Sequence, residues 1–226
     1  MNKWKESELV RSLLGFFLLF LLFVGLFIFV VPSTHQSSKI AEKIKSIKNE
    51  KVTYVAIGDS LTQGVGDSSN QGGFVPVLSQ ALESDFDWQV TSRNYGIAGN
   101  TSNQILKRMQ EKKDIQRDLK KAKVMTLTVG GNDVIHVIKD NITNLNVDTF
   151  TKPAQAYQKR LGQIIELARK DNKTLPIYIV GIYNPFYLNF PEMTEMQTIV
   201  DNWNQSTEEV CKKYDNVYFV PVNDLL

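Results

Sequence analysis

Two residue types that build metal sites and disulfides are scarce in this chain of 226 residues: there is one cysteine, Cys211, and two histidines, His35 and His136. A single cysteine excludes an internal disulfide and any cysteine cluster. No His, Cys, Asp or Glu group has metal-ligand spacing, so no metal and no cofactor is expected. Tyr214 stands three residues after Cys211 and Val200 eleven before it. The thiol therefore falls on an apolar helix face and reads as packed rather than nucleophilic. An excess of one charge is missing too. There are 26 basic and 24 acidic residues, and 8 of the basic and 4 of the acidic ones precede Val52. The remainder carries a net charge of −2, which excludes a nucleic-acid footprint. Internal repeats are absent as well.

Charge vanishes altogether from Ser12 to Ser38, and within that stretch Leu13 to Val31 holds only Leu, Phe, Val, Ile and Gly. Those nineteen residues are long enough to cross a hydrocarbon core as a helix. Pro32-Ser33-Thr34-His35 offers no small-residue cleavage site, so an uncleaved anchor is expected rather than a signal peptide. Lysines flank the run on both sides, so charge leaves its orientation open. A short tail before a long domain is the usual signal-anchor arrangement, which expects the domain outside the cytoplasm. The chain divides into a tail and anchor (1–38), a polar stalk (39–51) with Ile40, Ile44 and Ile47 at helical spacing, and one domain (52–226).

The domain alternates apolar runs with helical patterns. Strands are expected at Val52–Ile57, Trp88–Arg93, Val124–Val129, Ile177–Val180 and Val217–Val220. Helices are expected near Phe74–Glu83, Ser102–Lys113, Ala154–Lys170 and Thr194–Lys213. The run Lys107 to Lys123, rich in both signs, reads as a solvated helix face. Such alternation gives an α/β fold with a parallel sheet covered on both faces.

Three segments follow predicted strands, and in a parallel sheet their ends share one edge. Ile57-Gly58-Asp59-Ser60-Leu61-Thr62-Gln63-Gly64 follows the first strand. Asn94-Tyr95-Gly96-Ile97-Ala98-Gly99-Asn100-Thr101 follows the second, and Val129-Gly130-Gly131-Asn132-Asp133 the third. Singly, the first also suits a helix N-cap and the others suit turns. Brought together they offer acyl-transfer chemistry. Ser60 would be the nucleophile, and the N–H groups of Ser60 and Gly99 with the Asn132 amide would donate to a developing oxyanion.

Gly58-Asp59-Ser60-Leu61, then Gly99 with Asn100, then Gly130-Gly131-Asn132-Asp133 resemble the first three blocks of the GDSL, or SGNH, hydrolases in order and spacing. The resemblance spans about residues 50 to 226. It implies a three-layer, flavodoxin-like sheet, a serine esterase, lipase or acylhydrolase activity, Ser60 as nucleophile, and Ser60, Gly99 and Asn132 as the oxyanion hole. The family's last block, Asp-x-x-His, supplies the base and its orienting carboxylate. It has no match near Leu226. The expectation is a domain incomplete at its C-terminus, with little or no esterase activity in these 226 residues. Asp133-Val134-Ile135-His136 has the letters of that block but lies in the third one. His136 is expected at the surface, and His35 falls in the linker.

After the fourth strand come Tyr183, Phe186, Tyr187 and Phe190. They are candidates for a substrate pocket, with packing on the domain's own core as the alternative. The implied function is a membrane-anchored, extracytoplasmic esterase or lipase acting on acyl esters of lipids or acetylated cell-wall sugars. Its competitor is a silent domain that binds such a ligand.

Overall fold

The computed structural model describes residues 50–69, 71–141, 146–184 and 194–222. The anchor, the stalk through residue 49, His35, Phe186, Tyr187 and Phe190 lie outside the described residues. Among the described residues no helix is long and apolar enough to cross a membrane.

Five strands form one parallel sheet in the order β2-β1-β3-β4-β5: β1 (Lys51–Gly58), β2 (Gln89–Gly96), β3 (Ala122–Thr128), β4 (Ile177–Val180) and β5 (Val217–Val220). This is the doubly wound, flavodoxin-like order, whose chain reverses direction across the sheet between β1 and β3. Both β1 and β3 are buried on both faces, which is why they read as near-continuous apolar runs. The fourth and fifth strands fall on their expected residues. The second runs three residues further, to Gly96.

Helices connect the strands: α1 (Ser60–Gln63), α2 (Phe74–Phe86), α3 (Ser102–Glu111), α4 (Lys113–Lys121), α5 (Gly131–Asp140), α6 (Thr151–Ala168) and α7 (Thr194–Cys211). The expected single helix over 102–113 is α3 alone. The chain turns at Lys112, whose extended backbone (φ −90°, ψ 107°) separates α3 from α4. The charged run is therefore more than a solvated face. Ile115 and Leu119, four apart on α4, are buried in the core, and Asp118 is buried beside them on Tyr95 and Arg117, while Lys113, Asp114 and Lys120 stay outside.

One core packs α3, α4, α6 and α7 on one face of the sheet, with Ile57, Met125, Leu127, Ile177 and Ile179 pointing into it. Trp203 of α7 and Tyr157 of α6 lie at its centre with ring centroids 4.9 Å apart. Cys211 is buried there as expected, and burial pushes its thiol up to about 11. The other face carries a smaller cluster: Tyr54, Ala56, Val75 and Val124 under α2. Further along that face Tyr178 and Tyr218 pair across β4 and β5 with stacked rings and stay exposed.

Candidate active site

The three expected segments do converge at the carboxyl edge of β1, β2 and β3. At the tip of β1, Gly58 leads into Asp59, which caps α1 by accepting the Leu61 N–H at 3.1 Å on Oδ1. The capping reading and the nucleophile reading of this motif are thus compatible: Asp59 caps, and Ser60 takes the first helical position. There the Ser60 N–H has no intrahelical acceptor.

Asp59 is 5% exposed and reaches across to β3. Its Oδ1 accepts the Thr128 hydroxyl at 2.8 Å, and its own N–H donates back to Thr128 Oγ1 at 3.1 Å. Thr62 Oγ1 joins them, 2.8 Å from Thr128 Oγ1 and 3.3 Å from the Ile57 carbonyl to which it donates. A Cβ on Gly58 would overlap both threonine hydroxyls and the Thr128 carbonyl. Only glycine lets the two strand tips approach so closely. Burial raises the Asp59 carboxyl above its usual range, against the opposing pull of Thr128 and the Leu61 N–H.

Gly99 lies in a turn closed by Asn100 N–H donating to the Ile97 carbonyl at 3.2 Å. Its φ is +78°, and no atom lies within 4 Å of where a side chain would start. The loop is tied to the nucleophile segment at two points. Ala98 N–H donates to Gln63 Oε1 at 2.6 Å, and Ile97 N–H donates to the Gly58 carbonyl at 3.0 Å. Arg108 of α3 binds three groups from beneath: Gly58 O at 3.2 Å, Tyr95 O at 3.0 Å and Asn100 Oδ1 at 2.8 Å. Asn94 completes the link, donating to the Thr62 carbonyl at 2.7 Å.

The third segment opens α5. Gly130 has φ +114°, and a Cβ there would sit 2.8 Å from Trp203 Nε1 and 3.3 Å from the Tyr157 hydroxyl oxygen. The core therefore dictates glycine before the asparagine. Asn132 Nδ2 donates one hydrogen to the Asn100 carbonyl at 3.0 Å. An amide nitrogen carries two, so this bond orients the group and leaves a second donor. Asp133 accepts the Ser102 N–H at 2.8 Å and the Ser102 hydroxyl at 2.6 Å. Arg160 of α6 closes the set, 3.2 Å from Asp133 Oδ1 and 2.7 Å from Ser102 Oγ. The segments bearing Gly99 and Asn132 are thereby locked to each other through buried, charge-assisted bonds.

A cavity of about 160 Å³ opens beside Ser60 and Asn132. Tyr183, expected at a pocket, does line it. His136 is exposed and outside that lining, as expected of a surface residue. Among the described residues no histidine lines the cavity, and no group of three or more His, Cys, Asp or Glu is placed to hold a metal. The contacts of Thr128, Arg108, Asn94, Gln63 and the Ser102–Arg160 pair were not legible in the sequence, although Gln63 and Asn94 stand inside two of the three segments. Each contact joins residues distant along the chain.

A serine at the carboxyl edge of a flavodoxin-like sheet, with the Gly99 and Asn132 segments brought to the same edge, is the arrangement of one class of α/β ester hydrolases. The model of the GDSL-like lipase/acylhydrolase family matches residues 56–226, and the chain belongs to this family of serine ester hydrolases. It is 33% identical over 195 residues to the uncharacterized protein YpmR of Bacillus subtilis, covering 85% of this chain and 76% of that one. It is 30% identical over 138 residues to the spore germination lipase LipC of Bacillus licheniformis, covering 59% of this chain and 64% of that one. Among solved structures, the lipase Lip_vut3 from a goat rumen metagenome superposes with a TM-score of 0.69 at 22% identity. That match covers 77% of this chain and 82% of the other, and it shows the same fold.

The Asp59 arrangement has a pH signature. A carboxyl whose folded pKa is raised holds its proton more tightly folded than unfolded, so its contribution to stability falls as pH rises from the unfolded value through the folded one. Asp59→Asn keeps an acceptor for Leu61 and Thr128 and removes the desolvated charge. Urea denaturation of both proteins at pH 4 and pH 7 is expected to show the variant gaining on the native chain as pH rises. A gap that shrinks with pH contradicts this account.

Proposed function

We propose that this protein cleaves acyl esters with Ser60 as the nucleophile, the ester coming from a lipid or an acetylated cell-wall sugar. The observation that carries the reading is the convergence of Ser60, Gly99 and Asn132 at one edge, held there by Arg108, Asp133 and Arg160. Attack of Ser60 Oγ on the carbonyl carbon places negative charge on the carbonyl oxygen. The N–H groups of Ser60 and Gly99 and the second hydrogen of Asn132 Nδ2 would receive that charge. Donors fixed before reaction cost no reorganisation when it develops. The Asn132 side chain sits in the first turn of α5, whose partial positive end favours the same charge.

Removal of the Ser60 proton is the step that no described residue performs. Asp59 is adjacent but committed to Thr128 and Leu61, and His136 is exposed. The second reading is a domain that binds an acyl ester without turning it over.

The location proposed is the cell membrane, with the domain outside the cytoplasm. Its support is the uncharged run Leu13 to Val31, which has spanning length and no cleavage site after it.

Hydrolysis of p-nitrophenyl butyrate by the purified chain separates the two readings. Native turnover above background, lost in Ser60→Ala and reduced roughly a hundredfold to a thousandfold in Asn132→Ala, is the result expected of the enzyme. Absence of turnover with saturable binding of the ester, in this chain and in one extended through a following Asp-x-x-His segment, selects the binding domain. For location, the protein is expected in the membrane fraction and open to protease added outside intact cells. A soluble form beginning near Thr34 contradicts the anchor.

A further inference from the structure

The cavity beside Ser60 has few polar groups in its lining. Ser60, Asn132 and Tyr183 meet it, while the polar groups of Asp59 and Thr128 are occupied with one another. Its walls are apolar and come from three elements: Val134 and Ile138 of α5, Ile182 beyond β4, and Met196 and Val200 of α7. Gly131 and Gly181 line it without projecting side chains. A water molecule in such a space finds few partners, and an apolar cavity of about 150 Å³ is large enough for a benzene-sized molecule. An acetyl group would leave most of it unfilled and its walls without contacts.

We infer that this cavity is an acyl-chain pocket, and that the ester cleaved at Ser60 carries a straight acyl chain of roughly six carbons or more rather than an acetyl group. The inference rests on Ser60 being the reacting residue and selects lipid-like esters over acetylated sugars. The chain enters past Ser60 with its carboxyl carbon at the mouth and its methylenes between α5 and α7. Ile138 lines the cavity from α5, half-buried and packed against the core, so a larger side chain there takes up space that the acyl chain would occupy.

The test is equilibrium binding of two product acids, acetate and hexanoate, followed by NMR titration of the full chain. Hexanoate is expected to bind roughly tenfold tighter than acetate or better, since each buried methylene adds several-fold. Ile138→Trp is expected to erase that preference, hexanoate then binding no more tightly than acetate. Should that variant misfold by circular dichroism, Ile138→Ala replaces it, and the best-bound acid is expected to lengthen. Equal affinity of the native chain for both acids overturns the proposal. So does a folded Ile138→Trp that still prefers hexanoate, or an Ile138→Ala whose preference is unchanged. Binding needs no bond cleavage, so Ser60→Ala retains the preference. Failure of the pocket and failure of the nucleophile are then read separately.

Discussion

The site depends on one buried contact, the pair of hydrogen bonds between Asp59 at the tip of β1 and Thr128 at the end of β3. Parallel neighbours end on the same edge, and this contact stitches the two ends together in a region sealed from water. It sets the entry angle of α1, because the same carboxylate oxygen caps the helix through Leu61. The position of the Ser60 N–H follows. Gly58 is required by the same geometry, since a side chain there would displace both threonines. The cost is a desolvated carboxyl, which the Thr128 hydroxyl and the backbone offset in part.

Around that contact two arginines act as clamps. Arg108 joins β1, β2 and the Gly99 loop from below. Arg160 holds Asp133 and Ser102, and so joins the start of α5 to the start of α3. Guanidinium groups suit this work because several donors lie in one rigid plane. The outcome is an edge where three loops keep fixed positions although each, taken alone, is rich in glycine.

Much of this was legible in the residues. Buried strands such as Val52–Ile57 announce themselves as unbroken apolar runs, and alternation with helices leaves a parallel sheet as the natural solution. The meeting of the segments that carry Ser60, Gly99 and Asn132 was legible because their blocks are local and ordered. The break at Lys112 was not, since no proline or glycine marks it. The shared dependence on Thr128, Arg108 and Arg160 was not either. Those residues meet their partners 69, 50 and 58 positions away, and periodicity carries no information at that range. The cavity walls were hidden for a related reason. Val134, Ile182 and Val200 look like ordinary core residues until the elements that carry them are placed side by side.

The central proposal is that Ser60 is the nucleophile of this site, with Gly99 and Asn132 as its oxyanion donors. The most direct measurement is mass spectrometry of the intact chain after exposure to diethyl p-nitrophenyl phosphate, which transfers a diethylphosphoryl group to an activated serine and releases nitrophenol. The account predicts a single adduct that maps to Ser60 and is absent from Ser60→Ala. An unmodified chain, or an adduct on any other residue, would contradict it.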